Sequence, residues 1–309
     1  MKMPSNILIY FPTNIGDTLM GLPVVDRLRD NYPQSKITAI ASVRTKDFLL
    51  EHNFIDAVLL FKKSWSFRQK VKFAFGLRGK YDLTVDFKNS FLPVVIGSKQ
   101  CTPFYRQHYK GGHAKDIYLK IAAAFTGCNR KISRGQIVPC EEEGKKWQKI
   151  KFAPAVFVAC SSLSELKRYP YSCLKEVMRG LIEKGYPLVI LGEEKEKDFY
   201  RDILSFNTVI DLVGKTTIAD AAYLLEKYAR VFLCVDSGIM HLGSYLNIDQ
   251  VVLFGPTDAV RFGPWSSNAV ILRNEDIKCP ACEGSDCRFD YGCMKIAPEK
   301  VIRAVEDLW

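Results

Sequence analysis

The sequence predicts an α/β protein built from two parallel-sheet halves, and three observations carry that prediction. Short apolar, β-branched runs alternate with longer amphipathic stretches, the alternation occurs in two separate series, and a charged, proline-bracketed segment divides them. The first series comprises ILIYF (7–11), KITAIA (36–41), AVLLF (57–61) and LTVDF (83–87). Each run precedes a helical pattern or a loop leading to one, which is the mark of βαβ units. The second series comprises AVFVAC (155–160), PLVILG (187–192), RVFLCV (230–235) and QVVLFG (250–255), so two sheets of similar size follow. Between them, in IVPCEEEGKKWQKIKFAP (137–154), hydrophobic periodicity weakens and charges crowd together, which predicts domains over 1–150 and 151–309. The segment PEKVIRAVEDL (298–308) carries Pro at its start and Val301, Ile302, Val305 and Leu308 at helical spacing, so it reads as an amphipathic helix.

Composition bounds the function. At 309 residues, 48% hydrophobic and 25% charged, the chain can bury two cores of about 150 residues each, which excludes disordered, collagen-like and coiled-coil classes. The early apolar run at residues 7–11 is far shorter than the ~20 residues of a membrane helix and than a secretory core, so a cytoplasmic protein is expected. Lys and Arg number 44 against 34 Asp and Glu, a net charge of +10 that favours an anionic partner: a nucleotide, a phosphorylated lipid, a membrane face or nucleic acid. Nucleic acid has only this charge in its favour, because no recognised binding module is present, and it is not the expected partner. Ten cysteines in such a chain argue for reduced thiols, and only four histidines leave little room for His-rich metal chemistry.

In parallel α/β sheets ligands bind outside the carboxyl ends of strands, and four loops there stand out. PTNIGDTLMGLP (12–23) places Asp17 where a helix begins, and two readings stand: a helix cap, or a general base that takes a proton from an acceptor hydroxyl. The loop lacks both GxGxxG and GxxxxGK[ST], so neither a dinucleotide fingerprint nor a Walker loop is supported. CSSLSELKRYP (160–170) offers Ser161 and Ser162 as donors to phosphate oxygens, with Lys167 and Arg168 to neutralise a departing diphosphate; a solvated loop is the plainer reading. VDSGIMHLGSYL (235–246) ends a buried strand in Asp236, Ser237 and Gly238 and then opens a helix whose free N–H groups suit a phosphate. His241, one turn in, is either a phosphate contact or a core histidine. LFGPTDAVRFGPW (253–265) is a rigid turn carrying Thr257, Asp258 and Arg261.

Cys279, Cys282, Cys287 and Cys293 read C-x2-C-x4-C-x5-C, four thiols close enough to hold a structural zinc or iron, with reduced thiols and disulfides as the alternatives.

Taken in order, NIGDTLMGLP, YDLTVDFKNSF (81–91), LKRYP (166–170), VDSGIMHL (235–242), FGPTDAVRFGPW (254–265) and CPAC through CMKIAPEKV (279–301) resemble the motifs of glycosyltransferase family 9, the bacterial ADP-heptose:lipopolysaccharide heptosyltransferases. The first two segments are more similar to heptosyltransferase II than to heptosyltransferase I. The resemblance implies a GT-B fold, two Rossmann-like domains facing a cleft, with the acceptor on the amino-terminal domain and the sugar nucleotide on the carboxy-terminal one. The terminal helix in such folds commonly crosses back to the first domain. The implied reaction is inverting transfer of heptose from ADP-heptose to the lipopolysaccharide inner core or a related glycan, with no cofactor for catalysis.

By the same match Asp17 is the general base and Lys167 the stabiliser of the leaving diphosphate. Ser161, Ser162, Asp236, Ser237, Gly238 and His241 become donor contacts, Glu196 or its neighbour Glu194 a ribose contact, and Thr216 a residue near the adenine. A phosphate-rich acceptor suits the +10 charge, and Arg106, His108, Lys110, His113 and Lys115 form a candidate basic face for it, with a solvated surface as the alternative. Asn14, beside Asp17, joins the acceptor candidates. Leu92 stands where many relatives carry Arg. Peripheral contact with the inner face of the membrane fits such an acceptor. Three other readings remain: a family member that uses another donor or a protein acceptor, a non-catalytic nucleotide-sugar or anionic-glycolipid module, which has no need of Asp17 together with Lys167, and a nicotinamide-dependent oxidoreductase, which lacks its glycine fingerprint.

Overall fold

A computed structural model describes residues 3–104, 111–126, 133–139, 146–147, 153–162, 164–277, 287 and 290–309. The chain divides into two compact units, Met1–Val138 and Pro139–Trp309. The division falls within the charged stretch that the sequence marks, at its near end and not after residue 150. Trp147 explains the position: it is 1% exposed and its indole Nε1 donates to Asp220 Oδ1 at 2.6 Å, deep in the second unit.

The first unit runs β1 (Asn6–Tyr10), α1 (Ile15–Asn31), β2 (Lys36–Ala41), α2 (Lys46–Leu50), β3 (Ala57–Leu60), α3 (Phe67–Gly76), β4 (Leu83–Asp86), α4 (Leu92–Ile96), β5 (Gln100–Cys101) and α5 (Ala114–Thr126). Its sheet is parallel in the order β3-β2-β1-β4-β5. Central β1 is apolar without alternation because helices cover both faces of such a sheet, and Ile7, Leu8 and Ile9 are fully buried.

The second unit runs β6 (Ala155–Ala159), α6 (Tyr171–Glu183), β7 (Leu188–Ile190), α7 (Lys197–Tyr200), β8 (Val209–Asp211), α8 (Ile218–Tyr228), β9 (Ala229–Val235), α9 (Gly238–Tyr245), β10 (Gln250–Leu253), α10 (Ala259–Phe262), β11 (Ala269–Leu272) and α11 (Pro298–Leu308). Its parallel sheet has the order β11-β10-β9-β6-β7-β8. The α11 boundaries match the periodic segment read from the sequence. Its apolar face is used within this unit, where Val301, Ala304 and Val305 join the core against α6, β9 and β10. Gly180 permits the approach, since a Cβ there would lie 2.5 Å from Ile302 Cδ1. Each buried Val contributes about 1.5–3 kcal/mol, which fixes the helix firmly.

The segment at 133–138 closes the first unit against the end of α2. Asn53 N donates to the Gln136 carbonyl at 2.9 Å, Val138 N to the Glu51 carbonyl at 2.9 Å, and Gly135 N to Asp26 Oδ1 at 2.9 Å. His52 lies beneath, so close that a Cβ on Gly135 would meet its ring at 2.3 Å. Burial, aided by the Arg29 charge, pushes the His52 pKa down to about 3, even with Asp26 at 4.0 Å. The unfolded chain takes up this proton near 6.5 and the folded chain only near 3, so stability is lost as pH falls through that window. The expected outcome is a fall of about 1.4 kcal/mol per pH unit in protection of the β2 amides below pH 6, read by hydrogen exchange. His52→Gln should flatten that slope; an unchanged slope would show that carboxylates alone set it.

Candidate active site

In the second unit the strand order reverses between β6 and β9, since the chain leaves β6 for β7 on one side and β9 for β10 on the other. Such a reversal opens a crevice at the strand ends. Following β6, a single 3₁₀ turn at Glu165–Lys167 brings Lys167 Nζ within 2.7 Å of Asp236 Oδ2, at the end of β9. Thr257, from the loop after β10, donates its hydroxyl to the same oxygen. Three loops therefore converge on one buried carboxylate. An isolated carboxylate there would pay a heavy desolvation cost, which the ammonium and the hydroxyl offset.

Two hydroxyls flank this centre. Ser161 Oγ and Ser237 Oγ are buried and have no hydrogen-bond partner among the described residues. The Ser161 amide is fixed by donating to Tyr200 OH at 2.8 Å. Ser237 is the N-cap of α9 in extended conformation, and its side chain makes no cap bond, so the first amides of that helix keep their donors. Two hydroxyls, an ammonium and a helix N-terminus make a set of donors suited to an anion with several oxygens.

Other predicted residues have local duties. Ser162 Oγ accepts from Ser164 N at 3.3 Å, while its carbonyl accepts from Arg168 Nε at 2.7 Å. Arg168 also meets Glu165 at 3.3 Å, so it braces the loop where the sequence suggested a second diphosphate cation. His241 is 5% exposed and stacks on Trp265 with centroids 5.5 Å apart. Glu196 Oε2 accepts from Glu193 N at 2.8 Å in the turn after β7, and neighbouring Glu194 pairs with Lys197 at 3.5 Å. Thr216 is half-buried just before the α8 cap, where Thr217 and Asp220 satisfy each other's amides.

In the first unit the reversal lies between β1 and β4. Asp17 is half-buried in the first turn of α1, just beyond β1. It is not the cap: Asn14 holds the N-cap position, and its Nδ2 donates to Asp17 Oδ2 at 3.2 Å. That contact aims the carboxylate and leaves its second oxygen available for proton transfer. Beyond β4, Asp86 takes the amides of Lys88 and Ser90 at 2.8 and 2.6 Å and shapes a turn. Lys88 lies 4.7 Å above the Tyr10 ring, and burial lowers its pKa. Beside this turn lies a shallow, solvent-open groove lined by Asp86, Ser90, Pro93, Val94, Thr102 and Phe104. His113 sits at the start of α5, its Nδ1 accepting from Lys115 N at 3.1 Å.

The model for glycosyltransferase family 9 (heptosyltransferase) matches residues 97–291, more than half of the chain. The chain belongs to glycosyltransferase family 9. A lipooligosaccharide heptosyltransferase 2 of Campylobacter jejuni is 26% identical, the alignment covering 98% of each chain. The solved structure of Escherichia coli ADP-heptose lps heptosyltransferase II superposes with a TM-score of 0.78 at 20% identity, covering 98% of each chain. That of E. coli heptosyltransferase WaaC with ADP gives 0.74 at 18% identity over 98% and 100%. This family 9 glycosyltransferase thus has the GT-B fold, with two parallel-sheet units.

Several expected features of the family 9 enzyme fall outside the described residues: Arg106, His108, Lys110, Cys279 and Cys282. Of the cysteine quartet, Cys287 accepts from Tyr291 N at 3.2 Å and Cys293 is buried. Among the described residues no three His, Cys, Asp or Glu side chains gather as metal ligands. Sequence reasoning named Thr257 without its bond to Asp236, and it missed Tyr200 behind Ser161 and Trp265 under His241 as supports. Thr257 was within reach, since FGPTD follows a buried strand directly; Tyr200 and Trp265 carried no local signal.

Proposed function

We propose that this enzyme transfers heptose from ADP-heptose to the inner core of lipopolysaccharide or a related glycan, inverting the anomeric centre. The observation that carries the donor half is the Lys167–Asp236 contact flanked by the buried, unpartnered hydroxyls of Ser161 and Ser237. Relatives named as heptosyltransferases, one of them solved with ADP, support the same reading. Lys167, Ser161, Ser162, Ser237 and the α9 N-terminus hold the diphosphate, with Asp236 orienting the ammonium and Gly238 allowing close approach. Glu196 or Glu194 serves the ribose, Thr216 the adenine, and His241 the rim of the donor loop. Asn14, Arg106 and His113 serve the acceptor.

In the reaction an acceptor hydroxyl attacks C1 of the heptose and passes its proton to Asp17. The bond from C1 to the diphosphate oxygen breaks with its electron pair, and Lys167 with its hydroxyl neighbours stabilises the departing ADP. Such a transition state resembles an oxocarbenium ion. The spacing of Cys279, Cys282, Cys287 and Cys293 would suit a structural zinc or iron that braces their loop, outside the reaction. A lipid-linked acceptor places the work at a cytoplasmic membrane surface.

Thermal unfolding with ADP, UDP, GDP, CMP and NAD tests the donor assignment, because a ligand bound only by the folded state raises Tm. ADP alone should stabilise. A preference for UDP or GDP would change the donor, and no response to any nucleotide would remove the transferase reading.

A further inference from the structure

Helix α3 has two apolar faces and uses only one of them in the core. Leu77, just past its end, is buried, and Phe73 packs beside it on Leu8, Tyr10 and Ile40. Phe67, Val71 and Phe75 recur every fourth residue, within an arc of about 100° on the other side. Phe67 is 81% exposed and Phe75 56%. Alongside α3 packs α4, which adds Val94 at 72% exposure and, just before its start, Phe91 at 67%. Large apolar side chains gathered on neighbouring helices and left in water mark a surface that something covers.

The charge says what covers it. From Phe61 to Lys80 the chain carries Lys62, Lys63, Arg68, Lys70, Lys72, Arg78 and Lys80 and no Asp or Glu. At 100° per residue Lys70 falls on one flank of the Phe67–Phe75 stripe and Arg68 and Lys72 on the other. A second copy of the chain would bring the same positive charge and be repelled. An apolar stripe between two rows of cations matches an anionic bilayer, whose acyl region takes the rings and whose phosphates take the cations. The Ser66–Gln69 capping box sets the helix in place beforehand. Val94 also lines the groove beside β4, so this surface is continuous with it.

We propose that α3, with the exposed edge of α4, is the surface by which this protein docks on anionic membranes: Phe67, Phe75 and Val94 enter the interface and the flanking Lys and Arg residues hold lipid phosphates. The inference rests on the proposed function only in that a lipid-linked acceptor would be met at such a surface. The test is sedimentation of the whole chain with phosphatidylcholine vesicles, with and without phosphatidylglycerol and free of any glycan. The protein should sediment with the phosphatidylglycerol vesicles and be released by salt. Phe67→Ser/Phe75→Ser and Lys70→Glu/Lys72→Glu should each weaken binding by roughly tenfold or more, with Tm and the ADP response unchanged. The proposal is overturned if the parent ignores anionic vesicles, if both variants bind like the parent, or if the substitutions alter only self-association measured by light scattering. Loss of the ADP response with vesicle binding intact would count against the transferase reading and leave the docking surface standing.

Discussion

Asp17→Asn should lower transfer by roughly 10²–10⁴-fold, the range for removing a positioned general base, while ADP still raises Tm as in the parent. Asparagine keeps the size of the side chain and an oxygen for the Asn14 amide, so the first turn of α1 persists. Loss of the charge from that turn costs about 0.3–1 kcal/mol through the helix dipole, too little to unfold the domain. Transfer is read with ADP-heptose and a purified core acceptor at fixed pH. Parental turnover in the variant would show that Asp17 only accompanies the helix start and that another group takes the proton.

Lys167→Met is expected to act on both chemistry and stability, and the two effects separate by a second substitution. Its ammonium is partly exposed, whereas the Asp236 side chain is 5% exposed and, among the described residues, keeps the Thr257 hydroxyl as its side-chain partner once the lysine is gone. Breaking a buried pair costs about 3–5 kcal/mol; with 28% of the lysine side chain in solvent, roughly 1–3 kcal/mol is expected here. Transfer should fall by about 10²–10³-fold, as for loss of one electrostatic stabiliser of a leaving group. Adding Asp236→Asn should recover most of the stability, because the stranded charge is removed, and none of the activity. Recovery of activity in the double variant would show that Lys167 serves only to neutralise Asp236.

Strands central to each sheet were legible because burial on both faces demands unbroken apolar runs, as in Ile7–Phe11 and Val231–Val235. The edge strands β5, β8 and β11 were not: β5 has two residues, and Val209–Asp211 and Ala269–Leu272 keep partial exposure, so neither length nor pattern separates them from loops. The Lys167 and Asp236 positions were legible as loop ends after strands, but their contact spans 69 positions of sequence and depends on β6 and β9 being neighbours. The sequence left Asp17 open between helix cap and general base because Asn14 and Asp17, three residues apart, are both cap-type residues; the backbone puts Asn14 at the N-cap position and Asp17 inside the first turn. Exposure of Phe67 and Phe75 was invisible in advance, since aromatic residues in a helical pattern point equally well to a core.

The two units differ in when they can be finished as the nascent chain leaves the ribosome. Every strand of the first sheet, and the 133–138 segment that seals it, precedes the first residue of β6, so that half can fold while the other is still being made. In the second half, β6 emerges first yet must wait for β9 across two intervening strands, and its core stays uncovered until Val301, Ala304 and Val305 arrive in α11. Throughout that interval an apolar strand with an unpaired edge is exposed to other chains, which is the condition that favours aggregation. The pace of translation after residue 155, and the availability of chaperones during it, should therefore govern the yield of active enzyme more than anything in the first half.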